Sequence, residues 1–212
     1  MTELIGIAAV AIVAWFAAGT IWNVRLGRET MRWMQGGGSD DGLRVLGERT
    51  TVRWLGSTAV ELVVDQGKAE FSRAAVVIFL EPRDLPWWPL SRLRGRRDIL
   101  IVRGVLRRAP SFELEVLDPA SWSARDALLR VPRDWLKAVA PGGVVVHHAG
   151  AAALGHAYAL LEMAQRAGMK LWRLSVRRTE PHFQIHVRLP DRRQSARDFF
   201  QAVHALADRV LA

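Results

Sequence analysis

No charged residue stands between positions 4 and 24, a run of twenty-one that reads LIGIAAVAIVAWFAAGTIWNV. At about 1.5 Å per residue, a helix over this run is about 32 Å long, the thickness of a bilayer's hydrocarbon core. Only Glu3 precedes it, whereas Arg25, Arg28 and Arg32 follow it. The positive-inside rule therefore predicts a single-pass protein of the cell membrane, with its N-terminus outside and its C-terminal part cytoplasmic. A cleaved signal peptide would put basic residues before the run and a small-residue cleavage site after it, and this chain has neither. Trp15 falls in mid-span, while Trp22 and Trp33 fall at the interface belt and its cytoplasmic margin. Gly6, Ala14 and Ala18 share one line of the helix, which gives two copies a surface for close approach and a route to a homo-oligomer.

The remaining chain is foldable by composition. Half of the 212 residues are hydrophobic, too many for a disordered chain. There is no cysteine, which excludes disulfides, thiolate metal sites and a cysteine nucleophile. The formal charge is +9, and the basic residues are nearly all Arg, Lys standing only at 68, 137 and 170.

The pattern divides the chain into an anchor at 1–24, a juxtamembrane helix and Gly-rich linker at 25–42, and a cytoplasmic domain at 43–212. The segment GGGSDDG at 36–42 carries the break. Within the domain, 51–55 and 60–65 read as a strand pair across Gly56 and Ser57. Residues 75–80 read as a buried strand, 82–97 as a Pro-rich loop or broken helix, and 98–106 and 112–117 as strands. A short helix follows at 124–131, then a buried strand at 144–148 and a long helix at 151–167. A hairpin of 171–177 with 183–189 and a last helix at 196–211 complete the domain. Mixed strands and helices make the class α+β, a mixed sheet with helices.

Two stretches resemble each other. Residues 103–131 and 173–203 share the order R-x3-R-R, a proline, F-x-[LI]-x-V, and then S-A-R-D. Ser123 and Ser195 are expected to cap helices, with Asp126 and Asp198 three residues on. The domain is thus expected to hold two strand–connector–hairpin–helix units, about 75–131 and 144–211, packed about a pseudo-two-fold axis.

Three groups of residues are candidates for chemistry. His147 and His148 end one buried strand, His156 lies early in the next helix, and Glu81 and Asp84 end the equivalent strand of the first unit. Brought together by a pseudo-axis, they would suit acid–base work or a hydrolase-like reaction. A second group, Arg173, Arg177, His182, Gln184, His186 and Arg188, forms a basic sheet face suited to an anion or an acidic protein partner. The third is Pro86-Trp87-Trp88-Pro89 with Arg92, Arg94, Arg96 and Arg97, an aromatic tip with a basic flank suited to the anionic membrane leaflet.

No phosphate-binding, dinucleotide or metalloprotease motif occurs, and no cofactor or metal is expected. Nucleic acid is not an expected partner, since no reader motif accompanies the arginines. The sequence therefore points to a membrane-anchored binding, adaptor or assembly module on the inner leaflet. The alternative is a tethered enzyme with its site at Glu81/Asp84 and His147/His148.

Overall fold

The computed structural model describes residues 2–36 and 42–212. The expected Gly-rich linker falls mainly on 37–41, outside the described residues. The uncharged run lies in one uninterrupted helix, α1 (Thr2–Gln35), long and apolar enough to cross a membrane. Residues 2–18 of α1 are exposed throughout. From Gly19 the helix changes character, and Gly19, Asn23, Gly27, Thr30 and Met34 are buried. Their spacing of three to four residues puts them on one face. The stretch from residue 25, expected as a juxtamembrane helix, is a docked continuation of the apolar helix.

Among the described residues, a 3-10 turn (Gly42–Val45) leads into nine strands. These are β1 (Gly47–Trp54), β2 (Ala59–Gly67), β3 (Phe71–Phe79), β4 (Ile99–Leu106), β5 (Leu114–Leu117), β6 (Leu136–Val139), β7 (Val145–His148), β8 (Leu171–Val176) and β9 (Phe183–Arg188). They form one sheet in the order β1-β2-β3-β4-β9-β8-β5-β7-β6, antiparallel at every pair. Four further helices are α2 (Trp88–Leu93), α3 (Trp122–Leu128), α4 (Ala151–Arg166) and α5 (Ala196–Leu211). The class is α+β.

One sheet face carries the core. Alternate residues of β2, β3, β4, β9 and β8 pack with α4, α5 and the end of α1 in one continuous apolar cluster. In α5, Ser195 accepts a bond from the Asp198 N–H and opens the helix as its sequence foretells. Phe199, Phe200, Val203, Leu206 and Val210 then face the sheet, each contributing about 2 kcal/mol of burial. Met34 brings α1 into this core beside Leu43 and Leu46.

The expected internal repeat does not survive. Segment 171–189 is the hairpin β8–β9, but β4 and β5 do not pair, because that hairpin lies between them. The reason lies in the polar face. Glu115 on β5 sits beside Ser175 of β8, where Arg173 and Arg177 neutralise it. Arg107 instead turns to the β2–β3 connection, donating to the carbonyls of Gly67 and Ala69. The helices differ too. The N-cap of α3 is Ser121, Ser123 lies inside the helix, and α3 has 7 residues against 16 in α5.

Candidate functional site

The second sheet face is only partly covered, and it holds a groove with a volume of about 990 Å³. Helix α3 covers the β8 side through Leu117, Ala124 and Ala127. A small apolar cluster of Val77, Ile99, Ile101 and Trp172, flanked by Phe79 and Trp122, forms part of the floor. Strand register arranges this face in rows. One row runs Glu61, Val77, Ile101, His186, Arg173. The next runs Val63, Ala75, Arg103, Gln184, Ser175, Glu115 and His147.

Toward the β5 side of the face is Glu115, fully buried. Arg173 Nε donates to its Oε1 at 2.5 Å, and Arg177 Nη2 and the Ser175 hydroxyl donate to its Oε2, each at 2.8 Å. Arg177 also lies over the Trp135 ring at 4.3 Å. Arg173 and Arg177, expected to offer a free basic surface, are therefore already paired. Arg103 and Arg73, exposed on the same face, have no ion pair among the described residues. His186 is buried, and burial, then Arg173 and Arg103, lower its pKa from 6.5 to about 3. It is a neutral imidazole, whose Nε2 accepts from the Gln184 amide at 2.5 Å while its Nδ1 has no partner. His182 does not join this face. Its Nδ1 accepts the buried Leu106 N–H at 3.0 Å. Arg188 stands exposed at the end of β9.

A second constellation joins α1 to the domain. Gly19 lies so close to the segment after β3 that an added Cβ would sit 2.3 Å from the Arg83 carbonyl oxygen. One turn on, the Asn23 amide donates to the Glu81 carbonyl and its oxygen accepts from Arg83, both at 3.1 Å. Arg83 is held by both oxygens of Asp98, at 2.9 and 2.6 Å. Glu81 accepts from the Trp88 indole at 2.5 Å, and Ser57 donates to Asp84 at 2.7 Å. Gly27 packs on Trp54 and Val60, and Trp33 donates to the Gln194 carbonyl at 2.7 Å. One turn above Gly19, the Trp15 indole donates to the Leu85 carbonyl at 3.1 Å.

Segment 82–94 is thereby fixed beside the apolar part of α1, and it divides the tryptophan pair. Trp88 is half-buried, under Arg83 and Arg92 and near Trp22. Trp87 is 57% exposed, with Leu90 and Leu93 exposed on the same short segment. The four arginines divide as well. Arg97 folds back on the carbonyls of Arg92 and Arg96, and Arg96 lies over Phe79 and Trp122. Arg92 and Arg94 remain exposed.

The strand-end residues do not converge. Strands β3 and β7 run in opposite directions with four strands between them, so Glu81 and Asp84 lie at the opposite end of the sheet from His147 and His148. Glu81 and Asp84 belong to the α1 joint. The His148 Nδ1 lies 2.8 Å from the Gly150 carbonyl, and His156 stacks on Phe112 at 4.1 Å. The His147 pKa is lowered by burial and by Lys137, against an opposing pull from Glu115. Among the described residues, no three His, Asp or Glu side chains are grouped to hold a metal ion.

Sequence reasoning missed Gly19 and Asn23, which are inconspicuous inside an apolar run. Asn23 is the only strongly polar side chain in that run, and that was the available signal. Compared with known protein families and with curated proteins, the sequence matches none.

Proposed function

We propose that the protein is a membrane-anchored binding module of the cytoplasmic leaflet. In this reading the bilayer takes residues 2–18 of α1, the stretch exposed throughout and about 26 Å long, with the N-terminus outside, so that Trp15 and Gly19 lie at the inner interface and not in mid-span. Segment 82–94 rests on the anionic headgroups, and the open sheet face takes an anionic partner. One observation carries the reading. The joint at Gly19 and Asn23, with the Trp15–Leu85 bond, holds exposed Trp87, Leu90, Leu93, Arg92 and Arg94 against the apolar helix. An apolar edge with a basic flank, held at the level of the inner leaflet, suits an interface of lipid headgroups. Arg25, Arg28 and Arg32 support the same orientation.

The absence of native cysteine allows single-site labelling of the full chain in lipid nanodiscs. A polarity-sensitive fluorophore on Leu93→Cys is expected to shift to the blue in discs containing phosphatidylserine. The shift should be smaller in phosphatidylcholine alone, and it should shrink as salt screens the arginines. The same label on Lys68→Cys, on the β2–β3 connection at the far end of the strands, should not shift. Equal emission from both positions would exclude leaflet docking.

A further inference from the structure

The groove on the open sheet face changes character along the strands. Its end near α1 is floored by Phe79 and Ile99, the next row by Val77 and Ile101, then Ala75 beside Arg103, then Arg73 beside Val105. Within β3 and β4 the first two rows are apolar and the last two carry Arg103 and Arg73, while Glu61 of β2 flanks the second row and Arg96 lies over Phe79. From Phe79 to Ala75, the partner of Arg103, is four residues, about 13 Å at strand rise. That holds roughly ten carbons of an extended chain with its headgroup on Arg103, and the remainder of a sixteen-carbon chain would extend past Phe79 toward the leaflet, itself about 15 Å thick. The volume of about 990 Å³ is ample for such a ligand.

The polar groups of the groove are unequally satisfied. Arg173 is committed to Glu115, Asp126 pairs with Arg130, and Glu61 stands opposite Arg53 on the β2 side. Glu180 lies toward the far end, in the β8–β9 connection. Arg103, beside the apolar floor, has no counter-ion among the described residues. Two buried polar atoms of groove-lining residues, Ser123 Oγ and His186 Nδ1, also lack partners. Because His186 Nε2 accepts from Gln184, its proton lies on Nδ1, and both atoms are hydrogen-bond donors in want of an acceptor.

We infer that this groove binds a single-chain anionic amphiphile, a long-chain carboxylate, with its chain along Phe79, Val77 and Ile101 and its headgroup on Arg103. The inference rests on the anchoring proposed above, which turns the apolar end toward the leaflet. An acidic polypeptide fits less well, since the floor of the groove nearest α1, formed by Phe79, Ile99, Val77 and Ile101, offers an extended backbone no hydrogen-bonding side chain.

The test uses the full chain in phosphatidylcholine nanodiscs with palmitate labelled by carbon-13 at the carboxyl. Palmitate dissolved in the bilayer gives one carboxyl resonance. The expected result is a second resonance, saturating at one equivalent per chain. Arg103→Gln removes a charge-assisted bond and should weaken binding by about tenfold or more. Ala75→Trp, which fills the strip, should abolish the second resonance, while Lys68→Ala, on the β2–β3 connection and outside the groove, should leave it unchanged. A single bilayer resonance in the wild type, or equal binding by Arg103→Gln, overturns the inference. A Glu-rich peptide that binds through Arg103 where palmitate does not would assign the face to an acidic polypeptide and overturn it equally. Chain that fails to co-elute with the discs would instead refute the anchoring, by a readout independent of the resonance.

Discussion

Two buried side chains, Glu115 and His186, sit one row apart on the open face and respond to charge in opposite ways. Arg173, Arg177 and Ser175 close around the Glu115 carboxyl group. Glu115→Ala leaves two arginines without their counter-ion and is expected to destabilise the domain by about 3 kcal/mol, read from denaturant unfolding. His186 is held neutral, with its pKa at about 3 instead of 6.5. Its contribution is therefore fully present above pH 6.5 and is lost as pH falls toward 3, because only the unfolded chain readily takes the proton. His186→Gln should reduce the acid sensitivity of stability in that window, by up to about 1.4 kcal/mol per pH unit. Unfolding of both proteins between neutral pH and pH 4 checks this, and an unchanged difference across the range would show that His186 does not titrate there. His186 and Arg173 were legible in the sequence as face residues because strands alternate. The clamp on Glu115 was not, because it depends on which strand is the neighbour.

The elements were more legible than their pairing. Strands β1, β2, β3, β8 and β9 and helices α4 and α5 follow from period, turn residues and caps, all of which act over a few positions. Strand β6 escaped notice, being four residues long, largely exposed and preceded by a proline. The insertion of β8–β9 between β4 and β5 escaped it for a different reason. Similar local patterns at 103–131 and 173–203 can support different partners, since strand pairing is decided by distant side chains. The docking of α1 is the third element-scale feature, and it depends on a missing side chain. Gly19→Val would drive a side chain into the Arg83 carbonyl. The expected outcome is release of residues 19–34 and 81–88, with faster amide exchange there and unchanged protection in β3, β4 and β9. Unchanged exchange at 81–88 would mean that the helix docks by some other contact.

For the whole molecule, the sheet stands with one face closed by α1, α4 and α5 and the other open, while the apolar helix leaves from one end. If that helix crosses a bilayer in the proposed orientation, a membrane-impermeant thiol reagent should label Thr2→Cys from outside in intact cells. It should label Lys68→Cys only after permeabilisation. The reverse pattern would invert the topology and remove the leaflet docking with it. The uninterrupted run of α1 from the exposed apolar part into the core has one more consequence. A domain on a loose tether sweeps a hemisphere and meets its partners in any pose. This one is mounted like a blade on a shaft, so under the proposed anchoring any tilt or rotation of the shaft within the lipid would swing the open face with it. Encounter then becomes a search in two dimensions at one height and one heading. A partner confined to the same surface gains effective concentration without any added contact, and one that reaches in from the bulk gains none.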